Sequence, residues 1–220
     1  MRTVTLRSGN AVGVGKILCL GRNYAEHARE MDSELPEFPI VFLKPSTALL
    51  ADGGGIKIPS FSSELHHEVE LVVLIGKECR NIALKDAWDH IAGYAVGLDM
   101  TLRDVQTEAK KRGLPWSVAK GFDTSAPIST IVEKSAVPNP SELSLSLSVN
   151  GKIRQNSNTN KMIFSIDHVV SYLSSIFTLE QGDLIFTGTP EGVGAVVPGD
   201  ILEAKLESVG TLRVHVEHAA

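Results

Sequence analysis

Short apolar runs rich in branched side chains, separated by glycine and proline, recur along most of the chain. Residues 16–21, 40–43 and 92–100 form such runs, and each has the length and composition of a buried strand. In the C-terminal half, leucine alternates with serine ahead of Asn150-Gly151, a dipeptide that favours a two-residue β-hairpin turn. The pattern therefore predicts a structure made mostly of β-strands.

Helix signals are fewer, and the helices they predict are short. Asn23 is predicted to cap a helix over residues 24–31. Thr101 and Asp104 are predicted to form a capping box for a helix that ends near Arg112. Because strands do not alternate regularly with long helices, a doubly wound parallel sheet is disfavoured. The expected fold class is α+β and mostly β, a mixed β-sandwich or barrel-like roll with a few short helices.

The chain length indicates one compact domain over residues 1–220, and the net charge bears on its partners. A chain of this size buries a sizeable core by itself, with residues 1–60 as a candidate smaller N-terminal lobe. With 21 Lys and Arg against 26 Asp and Glu, the formal net charge is −5. This balance disfavours nucleic acid and anionic membrane surfaces as partners. No apolar run is long enough to span a bilayer.

The cysteines and the N-terminus bear on the compartment. Cys19 and Cys79 each lie in apolar sequence, outside any Cys-x-x-Cys pair, as expected for small hydrophobic thiols in a reducing compartment. Residues 1–7 lack the apolar run of a secretory signal. We expect a cytoplasmic protein, with an organelle protein whose transit peptide is absent from this sequence as the alternative.

Two glutamates lie in an unusual setting. Residues 65–74 are apolar enough to predict one buried strand, on which Glu68 and Glu70 share a face about 7 Å apart. Two buried carboxylates of like charge require a compensating cation. A hard divalent ion is one candidate, and neutralisation by Lys or Arg, or a strand face open to water, is the alternative. His66 has the same parity and can join the cluster, whereas His67 faces away; a hydrogen-bonded histidine pair at the strand entrance is the simpler interpretation.

A third acid strengthens the metal interpretation. Asp99 ends an apolar strand, where an unpaired carboxylate is costly. Together with Glu68 and Glu70 it would form an all-oxygen site completed by water. Such ligands favour Mg²⁺ or Mn²⁺ over Zn²⁺.

Several polar residues are candidates for chemistry around these acids. His27 and Glu30 are three apart, so on a helix they share a face as a general-base pair, although most such pairs are surface contacts. Lys120 follows apolar residues and can aim inward at developing negative charge instead of reaching solvent. Arg103 and Gln106 share a helix face, for which an ordinary helix surface is the alternative.

The glycine-rich segment over residues 186–194 follows a predicted strand. It lacks the Lys-Ser/Thr ending of a phosphate-binding loop. Its backbone N–H groups and the Thr189 hydroxyl can hold a small carboxylate, and a tight glycine-rich connection is the alternative.

Taken together, the motifs resemble a known family. They are Gly21-Arg22-Asn23-Tyr24, Glu68-Val69-Glu70, Gly93-Tyr94, Leu98-Asp99-Met100-Thr101 with Arg103-Asp104, Lys120, Thr187-Gly188-Thr189-Pro190 and Gly192-Val193-Gly194. In this order, over nearly the whole chain, they resemble the fumarylacetoacetate hydrolase family. The similarity is greatest to its short single-domain acylpyruvases and oxaloacetate decarboxylases.

The resemblance implies a mixed β-sandwich roll, a homodimer, and one Mg²⁺ or Mn²⁺ per subunit on Glu68, Glu70 and Asp99. It implies a water-activating dyad of His27 and Glu30 on a segment that orders as a lid over the ligand. The lid residues 32–37 are where related members are expected to diverge in substrate choice. The positions implied to surround the substrate are Arg22, Tyr24, Arg103, Gln106, Lys120 and Thr189.

The implied activity is cleavage of a carbon–carbon bond in a small 2-oxo acid through a metal-bound pyruvate enolate. The substrate is an acylpyruvate or fumarylpyruvate in the hydrolytic case and oxaloacetate in the decarboxylating case. A 2-oxo acid isomerase or tautomerase using the same site is the alternative. A non-catalytic, metal-stabilised binding protein is the alternative of another class. A serine hydrolase is disfavoured because the chain has no Gly-x-Ser-x-Gly elbow.

Overall fold

The computed structural model describes residues 2–32 and 34–218. The α-helices are α1 (Ala25–Glu30), α2 (Arg103–Lys111), α3 (Ser117–Lys120) and α4 (Ile166–Ile176). Single 3-10 turns or short 3-10 helices cover Ser46–Ala48, Leu84–His90, Lys134–Ala136 and Thr159–Lys161. The strands are β1 (Thr3–Thr5), β2 (Ala11–Gly13), β3 (Ile17–Gly21), β4 (Ile40–Lys44), β5 (Leu49–Ala51), β6 (Gly55–Ile58), β7 (Leu65–His67), β8 (Val69–Ile75), β9 (Ile91–Leu98), β10 (Thr101–Leu102), β11 (Ala126–Ile128), β12 (Val132–Glu133), β13 (Ser144–Val149), β14 (Lys152–Asn158), β15 (Leu184–Phe186), β16 (Gly194–Val196), β17 (Ile201–Leu206) and β18 (Gly210–His218).

Two sheets carry most of these strands. Within the described residues, the larger sheet has the order β4-β3-β15-β8-β9-β11-β5, with β12 also paired to β9. The smaller has the order β14-β13-β17-β18-β6. Parallel pairs (β3 with β15, β5 with β11, β6 with β18) occur beside antiparallel ones, so both sheets are mixed. The predicted mostly β, mixed-sheet fold class is confirmed.

The two sheets pack face to face, with β13, β17 and β18 against β8 and β9. Strand β8 is buried on both faces. Leu71 and Val73 join the core between the sheets, whereas Val72 and Leu74 join a second apolar cluster on the opposite face of the larger sheet. Burial of each such side chain stabilises the fold by about 1.5–3 kcal/mol. This double burial explains why the run after Glu70 contains no polar residue.

Strands from the first 60 residues are built into both sheets. β3, β4 and β5 belong to the larger sheet and β6 to the smaller one. The candidate N-terminal lobe therefore shares its hydrogen-bonded sheets with the rest of the chain.

The hairpin predicted at Asn150-Gly151 is confirmed. β13 and β14 pair in antiparallel fashion, from Val149 with Lys152 at the turn to Ser144 with Asn158. Asn150 and Gly151 have φ angles of 50° and 76°. Positive φ at both central residues is the requirement of a type I′ turn, which matches the twist of the strands.

The predicted cap of the first helix is wrong. Tyr24 is the N-cap residue of α1 and makes no side-chain cap. Asn23 is fully buried, and its amide nitrogen donates to the carbonyl oxygens of Phe164 and Thr187 at 3.1 and 2.8 Å. Its Oδ1 accepts from the Phe164 N–H at 2.7 Å. Asn23 is thus a tertiary tie between distant segments, which no local pattern reveals.

The predicted capping box of the second helix is also wrong. α2 has Leu102 as its N-cap residue, without a side-chain cap. Thr101 instead lies in β10, and its hydroxyl donates to Glu68 Oε1 at 3.2 Å. Asp104 accepts from the hydroxyl of Ser62 and the backbone N–H of Ser63. None of the helices in the described residues is long and apolar enough to cross a membrane.

Candidate active site

The predicted strand over residues 65–74 is two strands, and the break between β7 and β8 falls at Glu68. β7 belongs to a small sheet with β10 and β16. β8 and β9 pair up to Val69 with Leu98, and the next hydrogen bond runs from the Asp99 N–H to the Glu68 carbonyl at 2.8 Å. This antiparallel register sets Glu68 beside Asp99, one residue past the last strand pair.

The three predicted acids converge. One carboxylate oxygen each from Glu68, Glu70 and Asp99 lies within 4.8 Å of the other two, and all three residues are buried. The reason differs in part from the prediction. Glu70 does lie on the same face of β8 as Val72. Glu68, however, reaches the cluster because the strand is interrupted between β7 and β8 and because its backbone pairs with Asp99.

Two of the acids are paired with buried basic side chains. Glu68 Oε1 lies 2.6 Å from Arg103 Nη2, and Glu68 Oε2 lies 2.7 Å from Lys120 Nζ. Asp99 lies 2.7 Å from Lys120 Nζ through Oδ2 and 2.8 Å from Lys44 Nζ through Oδ1. The charges of Glu68 and Asp99 are therefore balanced by Lys and Arg side chains, as the alternative to a metal expects.

These contacts shift the acid–base equilibria. Burial alone would raise the pKa of Glu68, but Lys120 and Arg103 hold that pKa well below its usual range. Burial likewise acts to lower the pKa of Lys120, yet Asp99 and Glu68 outweigh it and the pKa of Lys120 is raised. Glu68 is thus held as a carboxylate and Lys120 as an ammonium.

Glu70 is the exception in the cluster. Its Oε2 accepts one hydrogen bond, from the Gly188 N–H at 2.8 Å, and its Oε1 has no partner among the described residues. Burial and the charges of Asp99 and Glu68 raise its pKa well above the usual carboxyl range. No described basic side chain forms an ion pair with it.

Asp99 Oδ1 also accepts no hydrogen bond from the described residues, although Lys44 lies beside it. The Lys44 ammonium donates instead to the carbonyls of Met100 and Lys120 and to Ser125 Oγ. Buried carboxylate oxygens are seldom left without a partner. Two such oxygens in an all-carboxylate cluster fit a hard divalent cation such as Mg²⁺ or Mn²⁺.

The glycine-rich loop closes one side of the cluster. Gly188 has a φ of 96°, and a Cβ there would lie 2.6 Å from the Cβ of Asn23. Only glycine fits this position, from which its N–H reaches Glu70. The Thr189 hydroxyl donates to the Val69 carbonyl at 2.8 Å and accepts from Gln155 Nε2 at 2.9 Å. It is therefore engaged in fixing the loop to β8.

The histidines of β7 lie outside the acid cluster. His67 Nδ1 lies 3.0 Å from Gln155 Oε1, which can only accept, so His67 carries its proton on Nδ1. His66 contacts Glu64 at 2.9 Å and accepts from Arg103 Nε at 3.4 Å. Each is hydrogen-bonded, as the simpler interpretation expected, but they are not bonded to each other.

A pocket opens beside the cluster, and Glu68 is the cluster acid that lines it. The predicted residues that line it are Arg22, His27, Glu68, Arg103, Gln106, Lys120 and Thr189. The remaining lining residues, none of which is a predicted site residue, are Leu20, Gly21, Met31, Phe42, Lys110 and Trp116. Tyr24 does not line it and is buried, with its hydroxyl unpartnered among the described residues. The predicted lid segment, residues 32–37, includes Ser33, which lies outside the described residues.

The predicted His-Glu pair is present at the pocket wall. His27 is buried, and its Nδ1 lies 3.1 Å from Glu30 Oε2. Glu30 Oε1 accepts from the Gly192 N–H at 3.0 Å, so the pair is tied to the glycine-rich loop. A carboxylate at Nδ1 holds the proton there and leaves Nε2 free to accept one.

Lys44 is a candidate functional residue outside the predicted set. It ends β4, is 1% exposed, and supports both Asp99 and the carbonyl of Lys120. A signal existed, since a lysine that closes an apolar strand directly before a proline has few ways to reach solvent.

The chain matches a protein-family model and named relatives over most of its length. Residues 16–217 match the family model described as fumarylacetoacetate (FAA) hydrolase C-terminal. The chain is 51% identical over 201 residues to a mitochondrial oxaloacetate tautomerase FAHD1 of Bos taurus, covering 91% of each chain. It is 50% identical over 197 residues to a mitochondrial oxaloacetate decarboxylase of Dictyostelium discoideum, covering 89% of this chain and 90% of the relative.

The fold also matches solved structures. The crystal structure of fumarylpyruvate hydrolase from Pseudomonas aeruginosa, in complex with Mn²⁺ and pyruvate, superposes with a TM-score of 0.96 at 42% identity. The match covers 99% of this chain and 96% of that one.

Proposed function

The chain belongs to the fumarylacetoacetate hydrolase family, and on that premise we propose that it is a divalent-metal-dependent enzyme that releases pyruvate from a small 2-oxo acid. The observation that carries the proposal is the buried cluster of Glu68, Glu70 and Asp99, with Lys120 beside it. The relatives named as an oxaloacetate decarboxylase and a fumarylpyruvate hydrolase support a substrate of this class.

Glu68, Glu70 and Asp99 are the proposed ligands of Mg²⁺ or Mn²⁺. A divalent cation at this position supplies Lewis-acid stabilisation of the negative charge that a 2-oxo oxygen gains on enolisation. The side chains arranged around the cluster provide the rest of the chemistry.

Lys120 has one donor left for the substrate. An ammonium group has three N–H donors, of which two are taken by Glu68 Oε2 and Asp99 Oδ2. Since Lys120 lines the pocket, with Nζ 5.0 Å from the centroid of the Phe42 ring, the third donor can meet an oxyanion there. Its raised pKa keeps it charged for that task.

His27 is the proposed base. Its Nε2 would accept a proton from water, while the Glu30 carboxylate stabilises the imidazolium through Nδ1. The activated water would attack the distal carbonyl of an acylpyruvate, and the carbon–carbon bond then breaks to leave the pyruvate enolate. Oxaloacetate would give the same enolate by loss of carbon dioxide, without an attacking water.

This division of roles gives a differential prediction. Glu30→Gln should lower kcat/KM for acetylpyruvate cleavage by about 10²-fold, because the water-activating base loses its anionic partner. Decarboxylation of oxaloacetate should fall by no more than a few-fold. Glu26→Gln is the matched control, since Glu26 lies on the same helix and its ion-pair partner among the described residues is Arg29. Equal losses in the two reactions would contradict the assignment.

The second candidate is keto–enol tautomerisation of oxaloacetate, favoured by the relatives named oxaloacetate tautomerase at 50–51% identity. The same site suits it, because His27 Nε2 can remove and return the C3 proton while Lys120 meets the oxyanion. It differs in one observable result. The ultraviolet absorbance of the enol would change rapidly with enzyme, without release of pyruvate.

Metal removal tests the proposal. Pyruvate release from oxaloacetate and from acetylpyruvate should be measured after EDTA treatment and again after addition of Mg²⁺ or Mn²⁺, corrected for the reaction without enzyme. We expect activity to disappear with EDTA and to return with metal, and the Glu68→Gln, Glu70→Gln double variant to stay inactive in both states. Turnover that survives EDTA would contradict metal dependence, and enol conversion without pyruvate would assign the protein as a tautomerase.

A further inference from the structure

The basic residues around the pocket fall into two groups. Arg103, Lys120 and Lys44 are engaged with the buried acids through the ion pairs at 2.6–2.8 Å. Arg22 and Lys110 line the same pocket, but their side chains form no ion pair or hydrogen bond with any described residue. Among the described residues, the Lys110 ammonium contacts the Trp116 ring, whose centroid lies 5.4 Å from its Nζ.

The backbone around Arg22 is also unusual. Arg22 follows β3 directly and has a φ of 58°, in the left-handed region that residues other than glycine rarely adopt. Such conformations persist where surrounding structure imposes them, and they cluster at ligand-binding positions. Here the conformation accompanies a half-buried guanidinium at the pocket wall.

The two free cations lie in a region of positive charge. Partial burial, and then the charges of Arg103, Arg22 and Lys120, lower the pKa of Lys110. Among the described residues that line the pocket, Glu68 is the single acid, and Arg103 and Lys120 already neutralise it. An anion bound between Arg22 and Lys110 would relieve this repulsion.

We propose that Arg22 and Lys110 bind the second carboxylate of a dicarboxylic 2-oxo acid, the one remote from the 2-oxo carbon. This inference rests on the proposed function, since the acid cluster takes the 2-oxo acid end of the same molecule. The site would then favour substrates such as oxaloacetate or fumarylpyruvate, whose remote end is anionic, over acetylpyruvate, whose remote end is a neutral methyl ketone. Lys110 and Arg22 would act as specificity-determining residues.

Binding of two inert ligands tests the proposal without turnover. N-oxalylglycine and N-methyloxamate share the same oxalyl amide end, and only the former has a remote carboxylate. Their dissociation constants should be measured by calorimetry on the full-length protein with saturating Mn²⁺. The variants are Lys110→Met and Arg22→Met. Lys111→Met is the matched control, because Lys111 is the next residue of α2, has the same charge and lies outside the pocket lining.

We expect Lys110→Met and Arg22→Met each to weaken N-oxalylglycine binding by roughly tenfold, as for loss of one charge-assisted hydrogen bond. N-methyloxamate binding should stay within about twofold in every variant, and Lys111→Met should change neither ligand. The ratio of kcat/KM for oxaloacetate to that for acetylpyruvate should fall in parallel. Equal weakening of both ligands, or no weakening of either, would overturn the assignment.

The failure of this inference is distinguishable from failure of the proposed function. Metal-dependent pyruvate release with a charge-independent ligand preference would overturn the role of Arg22 and Lys110 alone. A charge-dependent preference in a protein that converts no 2-oxo acid would support that role and contradict the proposed reaction.

Discussion

Replacing Glu70 with glutamine is expected to abolish binding of the divalent cation and to lower kcat/KM for oxaloacetate by at least about 10³-fold. Glu70 is the cluster acid without a basic partner in the described structure, so its charge has no other counter-ion there. Glutamine keeps the shape and the acceptor for the Gly188 N–H but removes that charge. Mn²⁺ titration by calorimetry together with steady-state kinetics measures both effects, and wild-type metal affinity in the variant would contradict the ligand assignment.

Glu70→Gln should also make the stability of the metal-free protein less sensitive to alkaline pH. The pKa of Glu70 is raised in the folded state, so the folded chain holds this proton more tightly than the unfolded chain does. Its contribution to stability is present below the usual carboxyl range and is lost as the pH rises through the raised pKa. Glutamine does not titrate, so Glu70→Gln should lose less stability than the wild type on going to alkaline pH in EDTA.

Glu68→Gln is the control with the opposite sign. The pKa of Glu68 is lowered, so its stabilising contribution is present above the usual carboxyl range and is lost on acidification. This variant should therefore be less stable than the wild type at neutral pH. Thermal unfolding in EDTA across the pH range measures both variants, and parallel curves of stability against pH for the two would contradict the opposite pKa shifts of Glu68 and Glu70.

Lys120→Met is expected to have the second largest effect, lowering kcat by about 10³-fold while metal binding persists. The substitution removes the donor that faces the pocket. It also removes the ammonium that separates Glu68 from Asp99, which leaves both carboxylates more available to a cation. The metal-free variant should be destabilised by about 3–5 kcal/mol, the usual cost of breaking a buried ion pair, and added metal should recover much of this.

Single-turnover kinetics and Mn²⁺ titration separate the two roles of Lys120. A kcat within tenfold of the wild type would show that its function is confined to holding the acids apart. Loss of metal binding together with kcat would show that it is required to form the site.

The strand that carries Glu70 could be predicted from the sequence. Because β8 is buried on both faces, its sequence is an apolar run that contains one acid. The convergence with Asp99 could be predicted too, since a buried acid at the end of a second strand needs a partner. Placement of Glu68 was reached partly for the wrong reason. The strand is interrupted at this residue, between β7 and β8. Because the interruption removes no apolar residue from the run, the hydrophobic pattern does not show it.

What the sequence could not predict depends on contacts between distant segments. Asn23 has the composition of a helix cap, yet its partners are Phe164 and Thr187, more than 140 positions away. Lys110 resembles an ordinary helix-surface lysine until the packing of α2 places it over Trp116. The position of Lys44 before a proline indicates burial, but only the sheet register shows that its partner is Asp99. Side chains of the same type thus differ in role through tertiary placement.

Anomalous diffraction at the manganese edge, from crystals grown with Mn²⁺ and oxalate, would locate the divalent cation. We expect a single strong peak within bonding distance of one carboxylate oxygen each from Glu68, Glu70 and Asp99, with oxalate beside Lys120. No peak at the cluster, or a peak bonded to other residues, would contradict the proposed ligand assignment.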